Sequence, residues 1–522
     1  MLHSLTQVVI VGGGTAGWLT AARIAAYHKC QQANAKVQVT LIESSDVPPV
    51  GVGEGTWPTM RATLQAVGIS ETEFLRECDA SFKQGAKFAK WTTGAEGDFY
   101  YHPLMLPQGF PKFDLTPYWQ QANDDGMDIS YSNAVCFQEA LCEQGLAPKL
   151  ITTAEFSHVA NYAYHLDAGK FASLLKKHSI NKLGVRHIVD HVVKVNNSVS
   201  GDIATLTTKA HGEIAGDLFV DCTGFQSLLL GQHYQVPFVD QSDVLFIDNA
   251  LALHVPYQSA DEDIVSHTVS TAQSAGWIWD IGLPSRRGVG HVYSSKHTNE
   301  QAAADELYQY VEKLNPAAVK DFNYRKIPIQ SGHRQRFWHN NCVAVGLAAG
   351  FLEPLEASAI VLVELSATMI AEQLPHNRSN MDIVAKRFNQ TFQYRWARII
   401  DFLKLHYVLT KRQDSQFWRD NQDLSSCPQE LVDLLSLWST RAPADYDFTS
   451  NNEVFPAASY LYVLYGMGFK TDFSQSDYLH QQAQQAAHLF QRNQQMIKQS
   501  CQQLPKNREL LNKIAQYGLN KI

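Results

Sequence analysis

Between the β-branched run Val8-Val9-Ile10-Val11 and an alanine-rich stretch lies Gly12-Gly13-Gly14-Thr15-Ala16-Gly17, and an acid, Glu43, closes the next apolar run. Glycine is needed where a strand turns tightly into a helix, where a side chain would block a pyrophosphate, and where helix and strand touch. Gly12, Gly14 and Gly17 fill these places. The helix they open points free N–H groups and the positive end of its dipole at phosphates, and Glu43 is placed to accept hydrogen bonds from a ribose diol. The interval from Gly17 to Glu43 is generous for a nicotinamide enzyme and suits FAD, which a second candidate nucleotide-contacting stretch, Asp221-Cys222-Thr223-Gly224, favours further. The chemistry this implies is that of a bound flavin.

Other groupings are ambiguous on their own. Lys83, Lys87 and Lys90 share one segment, and a lysine taken blindly from it is a solvated side chain. Glu356 follows Pro354, where an acid is ordinarily a first-turn residue favoured by the helix dipole. Trp277 and Trp279 alternate as on a strand, and cross-strand packing accounts for such a pair. The eight cysteines are scattered, with no CxxC pair and no metal-ligand spacing, and read as reduced thiols of a cytoplasmic protein.

The elements that must position these residues follow from pattern. The opening strand, a helix from about residue 18 to 26 and an alternating strand over residues 36–43 make a strand–helix–strand nucleotide-binding unit. Residues 44–58 carry Pro48, Pro49, Gly51, Gly53, Gly55 and Pro58 and read as an extended loop near the nucleotide. Alternating segments over residues 188–220 suggest a strand layer ending at Asp221, and Cys342-Val343-Ala344-Val345-Gly346 is a second buried strand that leads to a helix running through Met369. From about Val384 the chain reads as mainly helical, and its glutamine-rich stretch, residues 481–503, reads as a docked amphipathic helix in preference to a disordered tail. The fold class expected is α/β: a Rossmann-like FAD-binding module with added β-sheet and interleaved substrate segments over residues 1–380, then a mainly helical substrate-binding lid over residues 381–522.

At 522 residues, with 45% hydrophobic and 18% charged residues, the chain is too long for one ordinary domain. A net charge of -8 supplies no field for nucleic acid or an anionic membrane, and neither a secretion signal nor a membrane span is evident, so small-molecule chemistry is favoured.

Residues 12–18, the run Ser81-Phe82-Lys83-Gln84-Gly85-Ala86-Lys87-Phe88, Tyr101-His102-Pro103, Gly276-Trp277-Ile278-Trp279-Asp280-Ile281 and residues 350–356 occur in an order that resembles the flavin-dependent tryptophan halogenase family. The likeness runs from residue 8 to about residue 470. It implies that FADH2, supplied by a separate and transiently bound flavin reductase, reacts with oxygen and that chloride or bromide becomes hypohalous acid. That oxidant passes inside the protein to a lysine, matched by Lys83, which holds it by hydrogen bond or as a haloamine. Glu356 matches the glutamate that stabilises positive charge on the attacked ring and removes its proton. The halide would lie at the amides of Ser358 and Ala359, Trp277 and Trp279 would wall flavin from substrate, and His102, Leu104 and Tyr460 would face an indole. Cofactor contacts are expected from Gly12, Gly14, Thr15, Ala16, Gly17, Glu43, Gly53, Asp221, Gly224 and Leu347. The partners implied are a small aromatic substrate and the reductase, with a homodimer left open.

The chain departs from the family pattern in places. Ala357 and Ala359 replace a usual serine and glycine, and alanine resists left-handed backbone angles. Gly282 stands where proline is usual, Leu104 where an aromatic is more usual, and Ser459-Tyr460-Leu461 breaks the polar clamp found in members acting on free tryptophan. Two rival readings stand beside the halogenase: a flavin-dependent aromatic hydroxylase using the same activated oxygen, and a non-catalytic FAD-binding protein.

Overall fold

The computed structural model describes residues 5–46, 53–450, 453–474 and 482–521. The chain forms two compact units that interleave in sequence. One comprises Met1–Ala80, Leu166–Gln241 and Gln330–Trp396, the other Ser81–His165, Ser242–Ile329 and Ala397–Ile522. The last boundary falls inside the long helix Arg378–Val408.

In the first unit, the expected strand–helix–strand is β1 (Gln7–Val11), α1 (Thr15–Tyr27) and β2 (Gln38–Glu43). β1 is central because its residues are apolar on both faces, and Val8, Val9, Ile10 and Val11 are all buried. It pairs in parallel with β2 on one side and with Leu218–Asp221 on the other. The six-stranded sheet runs Trp338–His339, Cys342–Ala344, Leu218–Asp221, β1, β2, Arg186–Val189, with the first strand antiparallel. Strand order therefore reverses beside β1, and the crevice beyond the carboxyl ends of β1 and Leu218–Asp221 is where an open α/β sheet holds its ligand. The alternating stretch before residue 220 includes an antiparallel meander, Val192–Asn197, Ile203–Thr208 and Gly212–Ala215. In the segment expected to be loop, residues 47–52 lie outside the described residues, and Gly53–Gly55 is a short strand.

In the second unit a seven-stranded sheet orders Arg325–Pro328, Asn249–Val255, Arg287–Tyr293, Gly276–Gly282, Thr268–Ala272, Gly85–Ala89 and Phe99–Pro103. Helix Glu300–Leu314 covers one face, burying Ala303, Leu307 and Val311 against Leu251, Leu253, Ile278 and Val289. The glutamine-rich tail is helix Ala483–Gln503, with Ala486, Leu489 and Asn493 buried. The Asn493 amide donates to the carbonyls of Asn133 and Ala134, and Met496 and Ile497 pack on the cluster around Phe137 and Leu141. Among the described residues no helix is long and apolar enough to cross a membrane.

A polar seam that the sequence reading missed joins helix Thr59–Val67 to helix Ser358–Glu372 in the first unit. Thr59 and Thr63 hydroxyls donate to the two oxygens of Glu364 at 3.3 and 2.5 Å. Burial pushes this carboxyl from an ordinary 4.5 up to about 8, so it is neutral in the folded protein at pH 7 and ionised in the unfolded chain. Between those values unfolding releases a proton, and the stability contributed here falls as pH rises from about 4.5 to about 8. Glu364→Gln keeps the shape and removes the titration, so its unfolding midpoint should decline less than the parent's over this interval. Equal slopes in thermal melts would contradict a buried neutral carboxyl.

Candidate functional site

The first unit builds its part of the site on the turn after β1. Gly12 has φ of 115°, and a Cβ there would lie 2.1 Å from the carbonyl oxygen of Cys222. A Cβ on Gly17 would lie 1.9 Å from the Gly12 carbonyl oxygen. These glycines are required by the chain's own backbone. Gly14 differs, because a Cβ there meets nothing within 4 Å and would project into open space. Gly14 is also the N-cap of α1, in extended conformation with no side-chain cap bond, so the helix start over Thr15, Ala16 and Gly17 is uncapped by side chains. Gly224, with φ of 69°, likewise faces open space. This pair of open glycine positions at the sheet's switch point, beside a helix start, fits a dinucleotide pyrophosphate.

Glu43 ends β2 as expected, but its carboxylate is shared. Oε1 accepts from Lys176 Nζ at 2.5 Å and from His187 Nε2 at 2.8 Å, while Trp18 Nε1 approaches Oε2 at 3.4 Å. Two basic side chains thus hold the carboxylate in place. Asp221 is fully buried and engaged by its own loop: Oδ1 accepts from the Thr223 amide and hydroxyl, and Oδ2 from the amides of Leu229 and Leu230. It fixes the turn that carries Gly224. Leu347 lies half-buried in the single turn Gly346–Ala348, and close approach to the Ala16 methyl requires glycine at 346. Gly53 is half-buried at the start of its short strand.

Glu356 is buried, at 8% exposure, in the turn Leu355–Ala357 before helix Ser358–Glu372. Glu356 (φ 63°, ψ 6°) and Ala357 (φ 55°, ψ 45°) are both left-handed. Each costs a non-glycine residue roughly 1–2 kcal/mol. The difficulty expected at Ala359 does not arise, since that residue lies in right-handed helix, and the left-handed strain falls on Glu356 and Ala357 instead. Its N-cap residue, Ala357, makes no side-chain cap bond; Ser358 is buried and Ala359 exposed at its start. Trp57, which sequence reasoning passed over, donates from its indole Nε1 to the Glu356 carbonyl at 2.9 Å. Its only sequence signal is a large aromatic in Thr56-Trp57-Pro58, directly after the glycine-rich run.

The second unit places Lys83 in the short strand Ser81–Lys83, antiparallel to residues 163–165. Lys83 is 3% exposed, so the solvated reading of it fails. Lys87 and Lys90 behave as the solvated reading expects, pairing with Glu143 and Glu96 at the surface. His165 opposes Ser81, and its Nε2 meets the Thr268 hydroxyl at 2.9 Å. Burial, and after it the charge of Lys83, holds His165 well below its ordinary pKa, so it is a neutral imidazole at physiological pH.

The segment carrying His102 and Leu104 lies beside Lys83. Leu104 N–H donates to the carbonyl of Gln84, and Ala86 pairs with His102. His102 Nε2 lies 3.0 Å from the Ser459 hydroxyl, and its ring is bordered by Phe402, Phe455 and Tyr462 at centroid distances of 5.7, 6.5 and 6.2 Å. Tyr460 is fully buried among Phe402, Trp438 and Phe448, in the unit's aromatic core.

Trp277 is buried against Trp91 at 6.3 Å and Trp279 is half-buried over Gly290, where a Cβ would lie 2.1 Å from its ring. They share one face of the strand. Gly282, in the place of the usual proline, lets Ile264 and Tyr257 close in, and its carbonyl accepts from the Ser81 hydroxyl at 2.5 Å.

The chain resembles known proteins over nearly its whole length. A family model described as tryptophan halogenase matches residues 7–484. Tryptophan 6-halogenase SttH of Streptomyces toxytricini is 34% identical over 480 residues, covering 88% of this chain and 89% of the relative. A tryptophan halogenase structure from Shewanella frigidimarina superposes with a TM-score of 0.96 at 49% identity, covering 99% of both chains. A flavin-dependent halogenase from Xanthomonas campestris gives 0.86 at 31%, covering 100% of this chain and 99% of its own.

Two substitutions separate the roles of the glycines. Gly14→Ala should weaken FAD binding about tenfold or more while leaving the unfolding midpoint of the flavin-free protein near the parent's, because the methyl enters space reserved for phosphate. Gly17→Ala should lower that midpoint as well, because its methyl strikes backbone. Fluorescence titration with FAD and melting of both variants check this; unchanged affinity in Gly14→Ala would contradict the phosphate assignment.

Proposed function

This chain belongs to the tryptophan halogenase family and is a flavin-dependent halogenase of tryptophan-like aromatics, and from that premise we propose how its residues divide the work. Bound FAD, in its reduced form, supplies the electrons for reducing oxygen as halide is oxidised to hypohalous acid. A separate flavin reductase delivers that reduced form.

The uncapped start of α1, with Gly12, Gly14, Thr15, Ala16 and Gly17, receives the pyrophosphate, and Gly224 and Leu347 border it. Glu43 accepts from the ribose, Asp221 holds the Gly224 turn in place, and Gly53 adds a backbone contact. Chloride or bromide is held at the amides of Ser358 and Ala359, where the helix start offers donors without a competing side chain.

Lys83 holds the electrophilic halogen for transfer. The observation that carries this is its burial, at 3% exposure, on a strand that continues into Gln84, whose carbonyl binds the Leu104 amide. A positioned cationic donor shielded from water is what regioselective delivery requires. Transfer makes the carbon–halogen bond and leaves a cationic ring, which Glu356 stabilises and deprotonates; the hypohalous oxygen leaves as water.

His102 and Leu104 face the aromatic ring, with Tyr460 packed behind them. Trp279 presents its half-buried face as the wall, and Trp277 supports it from the core. Ser459 occupies His102, and no asparagine–tyrosine clamp stands at residues 459–461, which favours an indole without strict need for the amino-acid end.

Incubation with FAD, a flavin reductase, NADH, oxygen, chloride or bromide, and indole or tryptophan should give a product carrying halogen by mass. A hydroxylated product would favour the oxygenase instead. Lys83→Ala should lower halogenation roughly a hundredfold or more while reduced flavin is oxidised at the parent rate. Halogenated product at the parent rate would remove Lys83 from the chemistry.

A further inference from the structure

We propose that Trp57 is a positioning residue for Glu356, its indole N–H pinning the left-handed turn from which that carboxylate and the helix-start amides are presented. The inference rests on the reading above, in which Glu356 and the amides of Ser358 and Ala359 serve halogenation.

The contact spans 299 residues of sequence, from Trp57 Nε1 to the Glu356 carbonyl oxygen at 2.9 Å. That carbonyl belongs to the first of two consecutive non-glycine residues in left-handed conformation, and the second, Ala357, has no side chain able to make a local bond that favours such angles. Strained dihedrals persist only where surrounding structure over-determines them. The turn's own bond, from the Ala357 amide to the Pro354 carbonyl at 3.0 Å, constrains one side of it. The indole constrains the peptide between the two strained residues, whose rotation would swing the Glu356 carbonyl and the amide of Ala357 together.

The pin is itself anchored. Two residues after Trp57 the chain enters helix Thr59–Val67, whose Met60 and Leu64 are buried and whose Thr59 and Thr63 bind Glu364 on the helix that begins at Ser358. The 57–63 segment therefore holds the turn at one end and the second helical turn after it at the other. Phenylalanine in place of Trp57 keeps an apolar ring and loses the donor, leaving the turn free to relax toward right-handed angles.

The test uses the full-length protein with FAD, a flavin reductase, bromide and indole. Trp57→Phe should lower kcat for halogenation about tenfold, with the KM for indole and the rate of reduced-flavin oxidation close to the parent's. Adding Ala357→Gly should restore much of the lost kcat, because glycine takes left-handed angles without strain and no longer needs the pin. A merely structural loss would not be repaired at this one position. If Trp57→Phe fails to fold, recovery of folding and halogenation together in the double variant supports the proposal, and failure of both variants overturns it. Parent-level kcat in Trp57→Phe, or no rescue by Ala357→Gly, also overturns it. Absence of halogenated product from the parent would instead refute the reading on which the proposal rests.

Discussion

The turn at Glu356–Ala357 is the constraint on which the proposed halide site depends. Two left-handed residues in succession end one short turn and allow a new helix to begin at Ser358 with no cap bond from the side chain of its N-cap residue. A right-handed path there would continue the preceding turn into the helix, and the donors would be spent on the chain's own carbonyls. Strain of a few kcal/mol is a large share of a net stability of about 5–15 kcal/mol, so it must be opposed locally. The indole of Trp57 and the Glu364 seam provide that opposition from a segment far away in sequence.

Each unit also fixes charge, the first by pairing and the second by burial. In the first, the acid that ends β2 is held by Lys176 and His187, which fix its orientation. In the second, the buried ammonium of Lys83 shares its strand pair with a histidine kept neutral, while the nearby Lys87 is tied to Glu143 at the surface. Lysines four residues apart thus meet opposite environments. Burial and pairing, more than residue type, decide which is shielded from water.

The parts of this molecule legible in the sequence are those where the constraint is local. The glycines of the first turn could be assigned because their spacing sits between a β-branched run and an alanine-rich one, although the backbone that demands Gly12 comes from distant Cys222 and Gly14 faces open space. The helix beginning near Ser358 and the docked tail helix could be read from periodicity, as could the strand layer ending at Asp221. Long-range partners were invisible: nothing near Glu43 announces Lys176 or His187, and nothing near Glu356 announces Trp57. The concern over Ala359 arose because a missing glycine was equated with a left-handed position, whereas the strain sits at Glu356 and Ala357. The tryptophan pair and Tyr460 show how one aromatic pattern serves several environments, since Trp277 and Tyr460 are buried whereas Trp279 is half-buried. Interleaving is expected from the sequence, but the boundaries at residues 80, 165, 241, 329 and 396 are not placed by it.

The most direct measurement of the central claim is anomalous diffraction from crystals of the FAD-loaded protein soaked in bromide. The account predicts a bromide peak within hydrogen-bond distance of the Ser358 and Ala359 amides, with Glu356 and Ala357 still left-handed. Bound FAD with that position empty and bromide ordered elsewhere, or a right-handed path through the two residues, would contradict it.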